Sequence, residues 1–167
     1  MKYLQGHAPE MLARVQALLD EGRLMAWLQQ RHPESHTVRS DRALQAYVAE
    51  LKARHLKSAP PLSKVAYDNH LHVVHQALGT HTTVSRVQGT RLQSKRELRV
   101  ASLFKDAPAN FLRMIVVHEL AHLREREHGK AFYALCTHIE PDYHQLEFET
   151  RLWLTALETP GATPAPA

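Results

Sequence analysis

The chain has 167 residues, 44% of them hydrophobic and 23% charged, with a formal net charge of +4 at pH 7. That length fits one domain with a real core, and the ordinary charged fraction excludes a disordered or fibrous chain. No apolar run is long enough to span a membrane, a lone cysteine excludes an internal disulfide, and the mild positive charge permits an anionic partner without demanding one.

Residues 8 to about 31 predict a helix, with Met11, Leu12, Val15, Leu18, Leu19, Leu24, Trp27 and Leu28 apolar and Gly22 breaking or bending it. After a loop at Pro33 and Ser35, a second helix is expected from about Asp41 to Leu56. Ala59-Pro60-Pro61 ends the helical region. From Ser63 the texture changes to short strands: Lys64 to Tyr67, Leu71 to Val74, Thr82 to Val87 and Glu97 to Leu103. Asp68-Asn69, Gly79-Thr80 and Gly89-Thr90 are the turn signals between them. His70, His72 and His75 cluster without paired ligand spacing and are read as surface residues. Arg86, Arg91, Lys95 and Arg96 are read as a solvated hairpin, although such residues can also hold a phosphate.

The next helix carries the chemistry. Asp106 and Pro108 supply a cap and a start signal. Phe111, Leu112, Ile115, Val116, Leu120 and Leu123 recur at helical spacing, with no Gly or Pro from Ala109 to His128. Inside this stretch stands His118-Glu119-Leu120-Ala121-His122. Residues four apart share one helix face, so His118 and His122 can offer two imidazole nitrogens to one cation. Glu119, one position round the helix, is placed to take a proton from water held at that cation without ligating it. A catalytic zinc takes three protein ligands and keeps one open position. His128 is the first choice for the third, with Gly129 allowing a change of direction; His138, Glu140, Asp142, His144 and Glu147 are the alternatives. Tyr133 and Tyr143 are candidates, by residue type alone, for stabilising a developing oxyanion.

A helix from about Lys130 to Ile139 is stopped by Pro141 and followed by one from about Tyr143 to Leu157. Cys136, among Phe132, Leu135 and Ile139, reads as a buried small apolar residue. Residues 158–167, rich in Pro, Ala and Thr, read as a disordered tail. The first six residues hold no signal-peptide core, which with the single thiol sets an expectation of a soluble cytoplasmic protein without membrane contact.

Phe111 to Leu123, His128-Gly129-Lys130-Ala131-Phe132-Tyr133 and Pro141-Asp142-Tyr143 resemble the YgjP-like metallopeptidase family. The stretch from His128 to Phe132 is also similar to the third-ligand segment of SprT-like proteases. Broader relatives often carry Trp-Gly-Ser-Cys where this chain has Gln88-Gly89-Thr90-Arg91. The resemblance implies an α+β, zincin-like fold: N-terminal helices, a small antiparallel or mixed sheet, the motif helix and C-terminal helices. It implies His118, His122 and His128 as ligands and Glu119 as base. We therefore expect one domain over residues 1–157, helical over 1–58 and carrying the sheet and metal-site core over 62–157.

The expected function is zinc-dependent hydrolysis of metallopeptidase type, with another divalent transition metal also acceptable to three histidines. Proteins of this family are also labelled UTP pyrophosphatases, so hydrolysis of a nucleoside triphosphate is the alternative. A non-catalytic zinc module associated with DNA is a third reading, which Glu119 beside the ligands argues against. The expected partner is a peptide or nucleotide substrate; the residues neither support nucleic acid nor set an oligomeric state.

Overall fold

In the computed structural model, which describes residues 1–70 and 96–160, the first helical stretch divides at Gly22. Helix α1 spans Pro9–Asp20 and α2 spans Leu24–Arg31. Gly22 sits at φ +67°, while its N–H donates to Leu19 O and that of Arg23 to Leu18 O. That pair of bonds closes α1 on a left-handed residue, a conformation that costs glycine least. Helix α3 spans Asp41–His55, one residue shorter than expected. Its N-cap is Ser40, whose Oγ accepts from Ala43 N–H at 3.1 Å. Ser40→Ala is expected to destabilise the fold by about 1 kcal/mol, read as a lower denaturation midpoint in urea. An unchanged midpoint would mean that water replaces the hydroxyl at no cost.

Strands β1 (Lys64–Asp68) and β2 (Glu97–Ala101) pair in parallel, Lys64 opposite Glu97 and Asp68 opposite Ala101. The fold is α+β as expected, but the described strand pair is parallel rather than antiparallel. Turn signals suggest pairing between sequence neighbours, whereas β1 and β2 pair across a long intervening stretch, which is what a parallel connection needs. The expected strands at 71–74 and 82–87, most of the basic hairpin, and His72 and His75 lie outside the described residues. Strand β2 also stops early: Ser102–Asp106 is a turn of 3-10 helix. Helix α3 docks on β1 through Gln45 Nε2, which donates to Val65 O at 3.3 Å, and Asp41 Oδ1, which accepts from Tyr67 N–H at 2.9 Å.

Helix α4 spans Ala109–Ala121. Its N-cap is Pro108, without a side-chain cap bond; Asp106 turns away to pair with Arg39 Nη1 at 2.5 Å. The expected cap role of Asp106 is therefore corrected. Phe111, Leu112, Met114, Ile115, Val116, Val117, Leu120 and Ala121 are all buried. A helix apolar almost all round is an interior helix, and α4 is packed by α3, β2 and the two helices that follow it. Burial of each large apolar side chain contributes roughly 1.5–3 kcal/mol, so this helix anchors everything attached to it.

Helix α5 spans Lys130–Ile139 and α6 spans Tyr143–Leu157, as the pattern predicts. Arg113 Nε donates to Glu140 Oε1 at 2.9 Å, tying α4 to the end of α5. Glu149 on α6 is 1% exposed and is held by Arg31 Nε and by His32 Nε2, the latter at 3.1 Å. The His32 ring lies 4.7 Å from Phe111 and Nδ1 lies 3.1 Å from Asn110 Nδ2, so the end of α2, α4 and α6 share one polar junction. Buried carboxylates are retained only when paired in this way. One apolar cluster collects residues from Tyr3 to Ala156, and no described helix is long and apolar enough to cross a membrane.

Candidate metal centre

The end of α4 brings the motif to the surface of the core. His118 is 1% exposed and Glu119 7%, both on the last helical turn. His122 is the C-cap, at φ −65° and ψ −11°. The helix therefore ends at Ala121 and does not run on toward His128. No glycine or proline stops it. Arg124, Glu125, Arg126 and Glu127 offer no apolar face to hold a further turn on the body. The N–H groups of Arg124 and Glu125 both bond back to Ala121 O, and His122 Nδ1 donates to Glu125 O at 2.9 Å. The chain turns back there. Gly129, at φ −96°, is ordinary backbone at the N-cap of α5, so the reversal is not its work.

This reversal carries His128 onto the helix end. Its Nε2 lies 2.9 Å from His122 Nε2 and 3.2 Å from His118 Nε2. The three ligand atoms all lie within 4.8 Å of one another. A carbonyl only accepts, so the bond to Glu125 O places the His122 proton on Nδ1 and directs its Nε2 lone pair toward the other two rings. Three nitrogens around a tetrahedral cation at 2.0–2.1 Å would stand ~3.3 Å apart, and the two separations from His128 Nε2, 2.9 and 3.2 Å, lie within a few tenths of that. The donor set therefore fits a divalent transition metal in number, type and spacing.

Phe132, fully buried on the first turn of α5, forms the floor. Its ring centroid lies 4.9 Å from His118, 4.6 Å from His122 and 4.9 Å from His128. An apolar wall of this kind fixes three rings that would otherwise rotate, and it lowers the local dielectric. Behind His118 stands Tyr143, also fully buried, with its hydroxyl 2.7 Å from His118 Nδ1. Burial, and then the neighbouring Glu147 carboxylate, hold the Tyr143 phenol well above its usual range. Burial likewise pushes the Cys136 thiol up to about 12, which keeps it a protonated, inert packing group.

The alternative third ligands stand elsewhere. Glu140 pairs with Arg113 and Glu147 accepts from Arg151, while His138, Asp142 and His144 are exposed. Among the described residues the grouping able to hold a metal is His118, His122 and His128. The two tyrosine rings lie 6.2 Å apart but face different partners. Tyr143 contacts the edge of His118 away from the Nε2 cluster, and Tyr133 is half-buried against His144, with centroids 5.3 Å apart. The floor and the backing tyrosine are what sequence reasoning missed. Phe132 stands four residues after His128, as helical neighbours do, but nothing local marks Tyr143 as a partner of His118.

Comparison with known proteins bears on the whole chain. A curated protein of Escherichia coli (strain K12) named UTP pyrophosphatase is 57% identical over 157 residues, covering 94% of each chain. No solved structure matches. Both the relative and the family model below describe hydrolases, which sets the non-catalytic reading aside. The model for the YgjP-like metallopeptidase domain matches residues 17–152, enclosing the strands, the motif helix and all three histidines, and the chain belongs to that family.

Proposed function

We propose that this protein is a zinc-dependent hydrolase in which His118, His122 and His128 hold the metal and Glu119 is the general base, within one domain over residues 1–157. The observation that carries this is the convergence of three Nε2 atoms beside a buried glutamate. A bound divalent cation supplies Lewis acidity toward a carbonyl or phosphoryl oxygen and brings the pKa of water down to about 7. The remaining work belongs to the chain. Glu125 O and Tyr143 orient two of the rings, and Phe132 packs beneath all three. Glu119 accepts the proton of the attacking water, a role worth about 10²–10⁴-fold in rate.

For the substrate we propose a nucleoside triphosphate cleaved between the α and β phosphates, giving the monophosphate and pyrophosphate. The 57% identity to a curated UTP pyrophosphatase supports this reading. Peptide hydrolysis is the second reading, supported by the family's metallopeptidase description. The same three-histidine site serves either bond, because attack by water on phosphorus or on a carbonyl needs the same activation. Zinc-loaded protein offered UTP, other nucleotides and casein peptides separates them. Pyrophosphate release from UTP, abolished by a chelator and restored by zinc, is the expected result. Peptide cleavage with no pyrophosphate release would overturn the nucleotide reading.

A further inference from the structure

We propose that Tyr143 is a positioning residue for the metal centre, fixing His118 in the tautomer that carries its proton on Nδ1 and so turning the Nε2 lone pair toward the cation. This rests on the metal-centre reading above and deepens it. The geometry is a relay running outward from the site. His118 Nε2 faces His128 Nε2 at 3.2 Å, and its Nδ1 faces the Tyr143 hydroxyl at 2.7 Å. A neutral imidazole has one donor and one acceptor nitrogen. If Nε2 is to ligate, Nδ1 must donate, and the phenol oxygen must then be the acceptor.

A phenol that accepts at its oxygen still needs an outlet for its own O–H. Glu147, four residues along α6 and therefore on the same helix face, supplies it. Its Oε1 accepts from Arg151 Nη2 at 3.0 Å. Its Oε2 is shut away from solvent and has no hydrogen-bond partner among the described residues. That oxygen is left to accept from the phenol, whose pKa the same carboxylate raises. Arg151 in turn donates from Nη1 to Tyr3 O at 3.1 Å, which pins the far end of the relay to the N-terminal turn. The order in this proposal is imidazole to phenol and phenol to carboxylate, the second link formed when the O–H turns to Glu147 Oε2, with the guanidinium holding the carboxylate. The direction of every bond follows from the acceptor-only carboxylate at its end. His122 reaches the same Nδ1–H tautomer through a backbone carbonyl instead, so the two motif histidines are oriented by different means.

The test measures zinc affinity of the full chain by competition with a chromogenic chelator, for the wild type, Tyr143→Phe and His118→Ala. Tyr143→Phe keeps the buried ring and removes only the hydroxyl. It is expected to weaken zinc by about 10–100-fold, as loss of a ligand's hydrogen-bond partner does elsewhere. Affinity within twofold of wild type, with His118→Ala still losing the metal, overturns the positioning role and leaves the metal centre standing. Equal affinity in all three overturns both. A second measurement needs no variant. Nitrogen-15 shifts of the His118 ring in metal-free wild type report its tautomer directly: a protonated Nδ1 supports the relay, and a protonated Nε2 overturns it.

Discussion

Glu119→Gln is expected to cut hydrolysis by about 10²–10⁴-fold while leaving metal content unchanged. The substitution keeps the shape of a side chain that is 7% exposed and removes only its ability to take a proton. Gln neither adds a charge nor leaves a cavity, so folding should be little affected. The separation between activity and metal content is what makes the experiment informative. A ligand would lose both together, whereas a base loses only the first. Turnover within tenfold of wild type would show that another group takes the proton. The effect is expected in kcat rather than in KM, because the base acts on the water and not on the bound substrate.

His118→Ala, His122→Ala and His128→Ala are each expected to abolish stoichiometric zinc binding, by more than the roughly 10–100-fold that losing a ligand's supporting partner costs. His128 is the informative member. The motif spacing alone pairs His118 with His122, but only the chain reversal after Ala121 brings His128 Nε2 to 2.9 Å from His122 Nε2. Metal analysis of the purified variants provides one readout. Thermal unfolding provides another: a ligand present at 100 times its dissociation constant stabilises the native state by about 2.7 kcal/mol, so zinc should raise the wild-type midpoint and not the variants'. Full occupancy in His128→Ala would remove it from the centre and point to a ligand outside the described residues.

Much of the chain could be read from pattern because its elements are local. Helices α3, α5 and α6 follow from apolar spacing and from Pro141. The break at Gly22 follows from the one residue type that enters the left-handed region cheaply. The length of α4 was not legible, because no breaker ends it; a side-chain bond from His122 and a polar run without an apolar face do so. The pairing of β1 with β2 was not legible either, since turn signals report neighbours and this pair is parallel across a long connection.

The sequence by itself determined that two imidazoles share one face of a buried helix with a carboxylate beside them, because a period of 3.6 residues fixes the placement of His118, Glu119 and His122 relative to one another. It also marked Gly22 as a break and α4 as an interior helix. Only the tertiary structure decided that His128 closes the cluster, that Phe132 lies beneath it and that Tyr143 stands behind His118. Those contacts join α4 to a loop, to α5 and to α6. Such meetings depend on how packed elements are oriented in space, and spacing along a chain carries no record of that orientation.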